Sequence, residues 1–121
     1  MWAELITVAE TQAFMRQADS VWSSEERDAF IDFIAKNPEA GDVISETGGV
    51  RKVRWAGQGR GKRGGTRVIY FFHDRNNPIY LLLVYAKAVR ENLSPEAKKA
   101  VREFATGIKQ AHRRRAGRRK E

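Results

Sequence analysis

Cysteine is absent from this chain of 121 residues, and histidine is almost absent. Without cysteine there is no disulfide bond, thiol nucleophile or thiolate metal ligand, a composition that fits the reducing cytoplasm. The two histidines, His73 and His112, lie far apart in sequence, so a ribonuclease centre built from two histidines is a weak hypothesis. We therefore expect no metal site, and we expect any catalysis to rely on lysine, arginine and tyrosine side chains.

Long apolar runs are also missing. No stretch approaches the roughly 18 apolar residues of a membrane span, and the N-terminus lacks the basic start and apolar run of a secretory leader. We expect a cytoplasmic protein with no membrane partner. The length is typical of one domain, which we place at residues 1–111, followed by a basic, disordered tail at residues 112–121.

Acidic residues are missing from one segment, and the charge of the chain is lopsided as a result. Residues 1–46 hold ten acids and three bases, a net charge of −7, whereas residues 47–121 hold five acids and twenty bases, a net charge of +15. Such a basic half predicts a polyanion partner, usually a nucleic acid.

The segment from Thr47 to His73 contains seven glycines and no acid. Glycine lets a backbone approach a phosphate closely, and arginine and lysine donate hydrogen bonds to its oxygens, so the segment is suited to gripping a phosphate chain. The alternative is a solvated, flexible hairpin loop. The seven cations of the segment are Arg51, Lys52, Arg54, Arg60, Lys62, Arg63 and Arg67.

Hydrophobic periodicity divides the chain into seven elements. Short apolar or β-branched runs predict four strands, at residues 5–8, 50–55, 66–73 and 79–87. Apolar residues at helical spacing predict three helices, which start at Thr11, Ser23 and Ser94. The order β-α-α-β-β-β-α is an α+β layout. We expect a small four-stranded antiparallel or mixed sheet with the helices on one face, the first strand near an edge and the last strand central.

Three sequence blocks point further, to a known family. They are residues 47–54 (TGGVRKVR), 59–72 (GRGKRGGTRVIYFF) and 80–87 (YLLLVYAK), and Leu93-Ser94 before the last helix extends them. Together they resemble the HigB-like branch of the RelE toxins, closely over residues 40–105 and loosely in the N-terminal strand and helices. The arginine-rich end has no counterpart in the resemblance.

The resemblance implies a compact RelE-like fold and a toxin of a toxin-antitoxin system. Such a toxin enters the ribosomal decoding site and cleaves messenger RNA there, which inhibits translation. The cleavage it implies is metal-independent attack of a 2′-hydroxyl on the adjacent phosphate, with no cofactor. The partners it implies are the ribosome, messenger RNA and a cognate antitoxin, expected to be a small helix-turn-helix protein.

The resemblance also assigns residues by position. Lys52 and Arg54 lie on the strand that supplies catalytic lysines in RelE toxins, and Arg67 matches the arginine that opens the next strand. Many relatives carry an arginine where this chain has Ala88, so Lys87 is expected to substitute for it.

The expected division of labour follows from these positions. Lys62 or Lys52 takes the proton of the 2′-hydroxyl, Arg67 and Arg54 stabilise the phosphorane, and Lys87 or Arg63 assists the leaving oxygen. The expected catalytic residues are thus Lys52, Arg54, Lys62, Arg67 and Lys87. The expected substrate-binding residues are Arg51, Arg60, Arg63 and Tyr85.

Two other functions fit the same chain. A ParE-like toxin on the same fold poisons DNA gyrase and needs no ribonuclease centre, although the cation-rich hairpin argues against it. A non-catalytic RNA-binding module would use the Arg-Gly segment and the arginine tail to bind phosphates without cutting.

Overall fold

The computed structural model describes residues 6–56, 65–89 and 92–120, except for the side chains of residues 116 and 118–120. It contains five strands and three helices in this part of the chain. In chain order they are β1 (Val8–Glu10), α1 (Gln12–Val21), α2 (Ser24–Lys36), β2 (Asp42–Val43), β3 (Val50–Trp55), β4 (Thr66–Phe71), β5 (Ile79–Ala86) and α3 (Pro95–Lys120).

The strands form one mixed sheet in the order β1-β5-β4-β3-β2. β3, β4 and β5 are the three successive antiparallel strands that the sequence predicts, and β1 lies at an edge, parallel to β5. The predicted α+β class and the mixed sheet are confirmed. β5 has neighbours on both sides, as its continuous apolar run indicates, but the central strand is β4.

The fifth strand, β2, lies in a segment that the sequence predicts as a loop. It pairs with the start of β3 and is fixed by Tyr70, whose hydroxyl accepts a hydrogen bond from the Gly41 amide and donates one to the Pro38 carbonyl, both at 2.8 Å. Burial raises the pKa of this hydroxyl. A Cβ on Gly41 would lie 2.8 Å from the Lys52 carbonyl oxygen, so glycine is required there. Two residues carry too little periodicity for a strand to be predicted.

Helices cover both faces of the sheet, so the prediction that they share one face is wrong. Alternate residues of a strand point to opposite faces. Val68 and Tyr70 of β4 belong to an apolar cluster with α1 and α2, whereas Ile69 and Phe71 belong to a second cluster with α3. A central strand that is apolar on both faces has to be covered twice, which its unbroken run of buried residues already indicates.

The helix starts are the ones that the sequence predicts. Ser23 and Glu26 form a capping box at α2, and Ser94 accepts a hydrogen bond from the Ala97 amide at α3. Thr11 caps α1 and also donates a hydrogen bond to the Leu81 carbonyl at 2.9 Å, which ties the start of α1 to β5 across 70 residues of sequence.

The last helix is longer than expected. α3 continues to Lys120, although residues 112–121 are predicted to form a disordered tail. Alanine, arginine, lysine and glutamine predominate in its C-terminal half, and these residues favour helix. Within the described ranges, no helix is both long and apolar enough to cross a membrane.

Candidate functional site

Three of the predicted site residues stand side by side on adjacent strands. Arg67 of β4 is directly opposite Arg54 of β3 on one side and Tyr85 of β5 on the other. Side chains at such positions share a face, with Cβ atoms about 4.5–5.5 Å apart. Arg67 alternates with Val68, so this strip lies on the face that α3 covers. We call these three residues the arginine–tyrosine row.

Burial differs along the row. Arg54 is exposed, Tyr85 is 9% exposed and Arg67 is 4% exposed. A guanidinium group this deep in a sheet is uncommon, and its interaction with an anion is stronger there than in water because the local dielectric constant is lower. Arg54 thus lies at the protein surface, and Arg67 lies beneath it.

Lys52 and Lys87 flank the row. Lys52 lies two residues before Arg54, on the same face, and its Nζ is 3.3 Å from Oδ1 of Asn92. Lys52 also lines a small cavity of about 180 Å³, together with Asn92 and Leu93 before α3 and Lys98 in its first turn. Lys87 follows β5 directly, and its backbone amide donates to the Gly65 carbonyl at 3.2 Å. Lys52 therefore shares the face of the row, and the backbone of Lys87 is fixed at the end of β5, two residues after Tyr85.

The mouth of the β3–β4 hairpin is closed just beside the row. Gly65 has φ +60°, and a Cβ there would lie 2.6 Å from the Trp55 carbonyl oxygen, so only glycine fits. The Thr66 hydroxyl donates to the same oxygen at 3.0 Å. This closure fixes the strand ends from which Arg54 and Arg67 project.

The remaining predicted residues are not brought to the row by the described structure. Arg51 is on the opposite face, where its Nη1 donates to the Gly41 carbonyl at 2.7 Å and helps to hold β2. Its neighbour Lys52 faces the row because side chains alternate along a strand. Three further predicted residues, Arg60, Lys62 and Arg63, lie outside the described residues.

A second cluster of side chains, at the far end of β4, is not predicted by the sequence. The rings of His73 and His112 have centroids 5.4 Å apart, and Nε2 of His73 is 3.8 Å from Oδ2 of Asp74. They are 39 positions apart in the chain, and only the packing of α3 over the sheet brings them together. No local motif could have shown this. They line an open cleft of about 450 Å³, completed by Asn76, Asn77, Lys109, Arg113 and Arg115.

The cleft perturbs two ionisable groups. Burial lowers the pKa of His112, and the nearby Arg115 and His73 lower it further. Partial burial opposes ionisation of Asp74, but hydrogen bonds from Asn77 and Asn76 outweigh it and lower the pKa of this carboxyl. In the described part of the chain, no three histidine or acidic side chains are grouped to hold a metal ion.

Comparison with known proteins gives both a family and a fold. The family model described as the RelE toxin of the RelE/RelB toxin-antitoxin system matches residues 8–118. Among solved structures, a double arginine-to-alanine mutant of the E. coli toxin RelE in the free state matches with a TM-score of 0.52. The two chains are 13% identical, and the match covers 73% of this chain and 90% of that one, which is a likeness of fold.

Proposed function

This chain belongs to the RelE toxin family, and from that premise we propose that it is an endoribonuclease that cuts messenger RNA on the ribosome. A toxin of this family has a cognate antitoxin as its partner. The observation that carries the proposal is the arginine–tyrosine row: a buried Arg67 fixed between Arg54 and Tyr85, with Lys52 on the same face of β3. A surface that only bound RNA would not need a guanidinium group held inside a sheet.

The proposed reaction is attack of a ribose 2′-hydroxyl on the adjacent phosphorus. The new P–O bond forms as the bond to the 5′ oxygen breaks, which leaves a 2′,3′-cyclic phosphate and a 5′-hydroxyl. Arg67 and Arg54 donate hydrogen bonds to the non-bridging oxygens and stabilise the charge of the phosphorane. Lys52 or Lys62, as the neutral amine, accepts the proton of the 2′-hydroxyl. Lys87 or Arg63 assists the leaving oxygen: Lys87 by giving it a proton, or Arg63 by donating a hydrogen bond while the oxygen takes its proton from water. Tyr85 packs beside Arg67 and binds the substrate.

The ribosome is proposed to hold the RNA strand in the orientation that cleavage needs, because the row alone does not fix it. Arg54 is exposed and no histidine adjoins the row in the described structure, so a free RNA strand would seldom align its 2′-hydroxyl with the phosphorus. We expect the purified protein to cut message bound to ribosomes and to leave the same naked RNA largely intact. Rapid cutting of naked RNA that added ribosomes do not change would contradict this requirement.

The antitoxin is proposed to act by charge. Lys52, Arg54 and Arg67 form a basic surface, and an acidic segment of a small helix-turn-helix partner would complement it and cover the row, or would prop the last helix out of place. A neutralised complex that leaves this surface open and the row undisturbed would show that inhibition works in another way.

Induced expression followed by mapping of transcript 5′ ends tests the function. We expect new ends inside translated reading frames, phased by codon, for the unchanged chain. Arg54→Ala, at an exposed position, should abolish them, whereas Arg102→Ala, at an exposed arginine of α3 that is not part of the row, should not. DNA breaks linked to gyrase would instead indicate a ParE-like poison, and neither signal would indicate an RNA-binding module.

A further inference from the structure

The cleft at the far end of β4 has no part in the proposed cleavage. His73 lies six residues beyond Arg67 and on the same face, about 20 Å away at roughly 3.3 Å per residue. We propose that this cleft binds a backbone phosphate of single-stranded RNA, held by Lys109, Arg113 and Arg115, with a protonated His73 adding an N–H donor and a protonated His112 adding positive charge beneath it.

The cations of the cleft come from one helix and converge on one opening. Lys109 and Arg113 are one turn apart on α3, so they project on the same side, and Arg115 lies across the same cleft. Lys109 leans over the turn before β3, where its Nζ is 3.0 Å from the position of a Cβ on Gly48. The volume of about 450 Å³ is enough for a phosphate with its ribose.

The one acid in the lining is already engaged. Oδ1 of Asp74 accepts hydrogen bonds from the Asn76 amide at 2.9 Å and from Nδ2 of Asn77 at 2.7 Å. Its Oδ2 faces His73 at 3.8 Å. The carboxylate therefore helps to hold the β4–β5 turn and one imidazole, and three cations remain facing the opening.

His112 forms the floor of the cleft. Both of its ring nitrogens are shielded from solvent and have no hydrogen-bond partner in the described part of the chain, which is an uncommon condition for a histidine. The groups facing it are His73 and Asp74 from the turn and the cations of α3. A phosphate that enters the cleft brings negative charge close to both rings and favours their protonated forms. Binding should therefore take up protons.

The test measures binding to 2′-O-methyl decauridylate, which lacks the attacking hydroxyl and stays intact, by fluorescence anisotropy with the full chain. We expect tighter binding at about pH 5.5 than at about pH 7.5. Lys109→Gln should lower the slope of log affinity against log salt by about 0.7, the value of one lost phosphate contact on a single strand. The matched control Arg102→Gln removes the same charge from an exposed site on α3 outside the cleft and should change the slope less.

The protonation of His73 and His112 gives a second measurement. His73→Asn should remove most of the gain in affinity at low pH, and in the unchanged protein both imidazole NMR signals should titrate at higher pH when the oligonucleotide is present. The proposal is overturned if Lys109→Gln and Arg102→Gln behave alike, or if the imidazole titrations do not move. Because the second measurement needs no substitution, a variant that fails to fold cannot hide the outcome.

Two further ligands separate the possible sources of the anion. Inorganic phosphate should shift the same imidazole signals only weakly, because it lacks the neighbouring phosphates of a strand. A decaglutamate peptide that bound with the same histidine dependence as the oligonucleotide would assign the cleft to an acidic protein and overturn the RNA proposal. No cleavage is measured, so binding here with no cutting on the ribosome would leave this inference standing and defeat the proposed function.

Discussion

The two ends of β4 carry their cations in different ways. At its start, Arg67 is 4% exposed and is held between the neighbouring strands β3 and β5. Beyond its end, Lys109, Arg113 and Arg115 reach the cleft from a single helix, and the two arginines are exposed. A sheet fixes a side chain from both sides, whereas long side chains on a helix surface keep most of their rotamer freedom. The first arrangement suits a reacting phosphate, and the second suits affinity.

Removing the buried guanidinium should give the largest effect. We expect Arg67→Ala to slow single-turnover cleavage of ribosome-bound message by at least about 10²–10³-fold, the loss typical of one donor aimed at developing charge, with little change in ribosome affinity. Arg102→Ala, at an exposed position outside the row, is the matched control, and the melting temperature of Arg67→Ala shows whether this variant folds. If Arg67→Ala cleaves normally, the row is not the catalytic site.

Shortening α3 should lower the affinity for the ribosome and leave the cleavage step intact. Residues 113–120 hold six cations, and deletion of residues 112–121 should weaken ribosome binding and flatten its salt dependence by roughly 0.7–0.9 log units per lost phosphate contact. Single-turnover cleavage at saturating protein should survive. A truncation that stops the chemical step while Arg67→Ala does not would reverse our assignment of the two ends.

The Tyr70 hydroxyl, which holds β2, should influence the stability of the fold but neither cleavage at the row nor binding at the cleft. Tyr70→Phe leaves the buried Gly41 amide and Pro38 carbonyl without their partner, so the free energy of unfolding should fall by about 1–3 kcal/mol in urea titrations. Cleavage and binding by the folded protein should be unchanged. Tyr80→Phe, at a half-buried ring packed on Phe104, is the matched control and should cost less. Equal losses for the two variants would contradict the role given to Tyr70.

The smallest effect should appear in the pH dependence of stability without RNA. Because the pKa of His112 is lowered on folding, the unfolded chain binds a proton more readily between the two pKa values, and stability falls as pH drops below the unfolded value of about 6.5. His112→Gln should flatten this acid-side fall in melting temperature. An unchanged pH profile would mean that His112 does not titrate differently in the folded protein.

Local chemistry in the sequence was enough to predict much of the fold. The Ser23–Glu26 capping box and the apolar run of β5 act within a few residues, and both appear where predicted. The resemblance to the RelE toxins indicated Arg54, Arg67 and Tyr85 as site residues, but their alignment in one row depends on the register of three strands. The position of α3 over the second face, and with it the meeting of His73 and His112, is a long-range packing outcome that no periodicity encodes.

The hydrogen bond from Thr11 to Leu81 has a consequence for the order of folding. The first strand and helix pack on β5, which is synthesised some 70 residues later, so the chain must close a long loop before these contacts can stabilise it. Tyr85 belongs to the same late strand, and the row does not exist until β5 has paired with β4. In a nascent chain the arginine–tyrosine row therefore stays incomplete until β5, the last strand to be synthesised, has paired with β4.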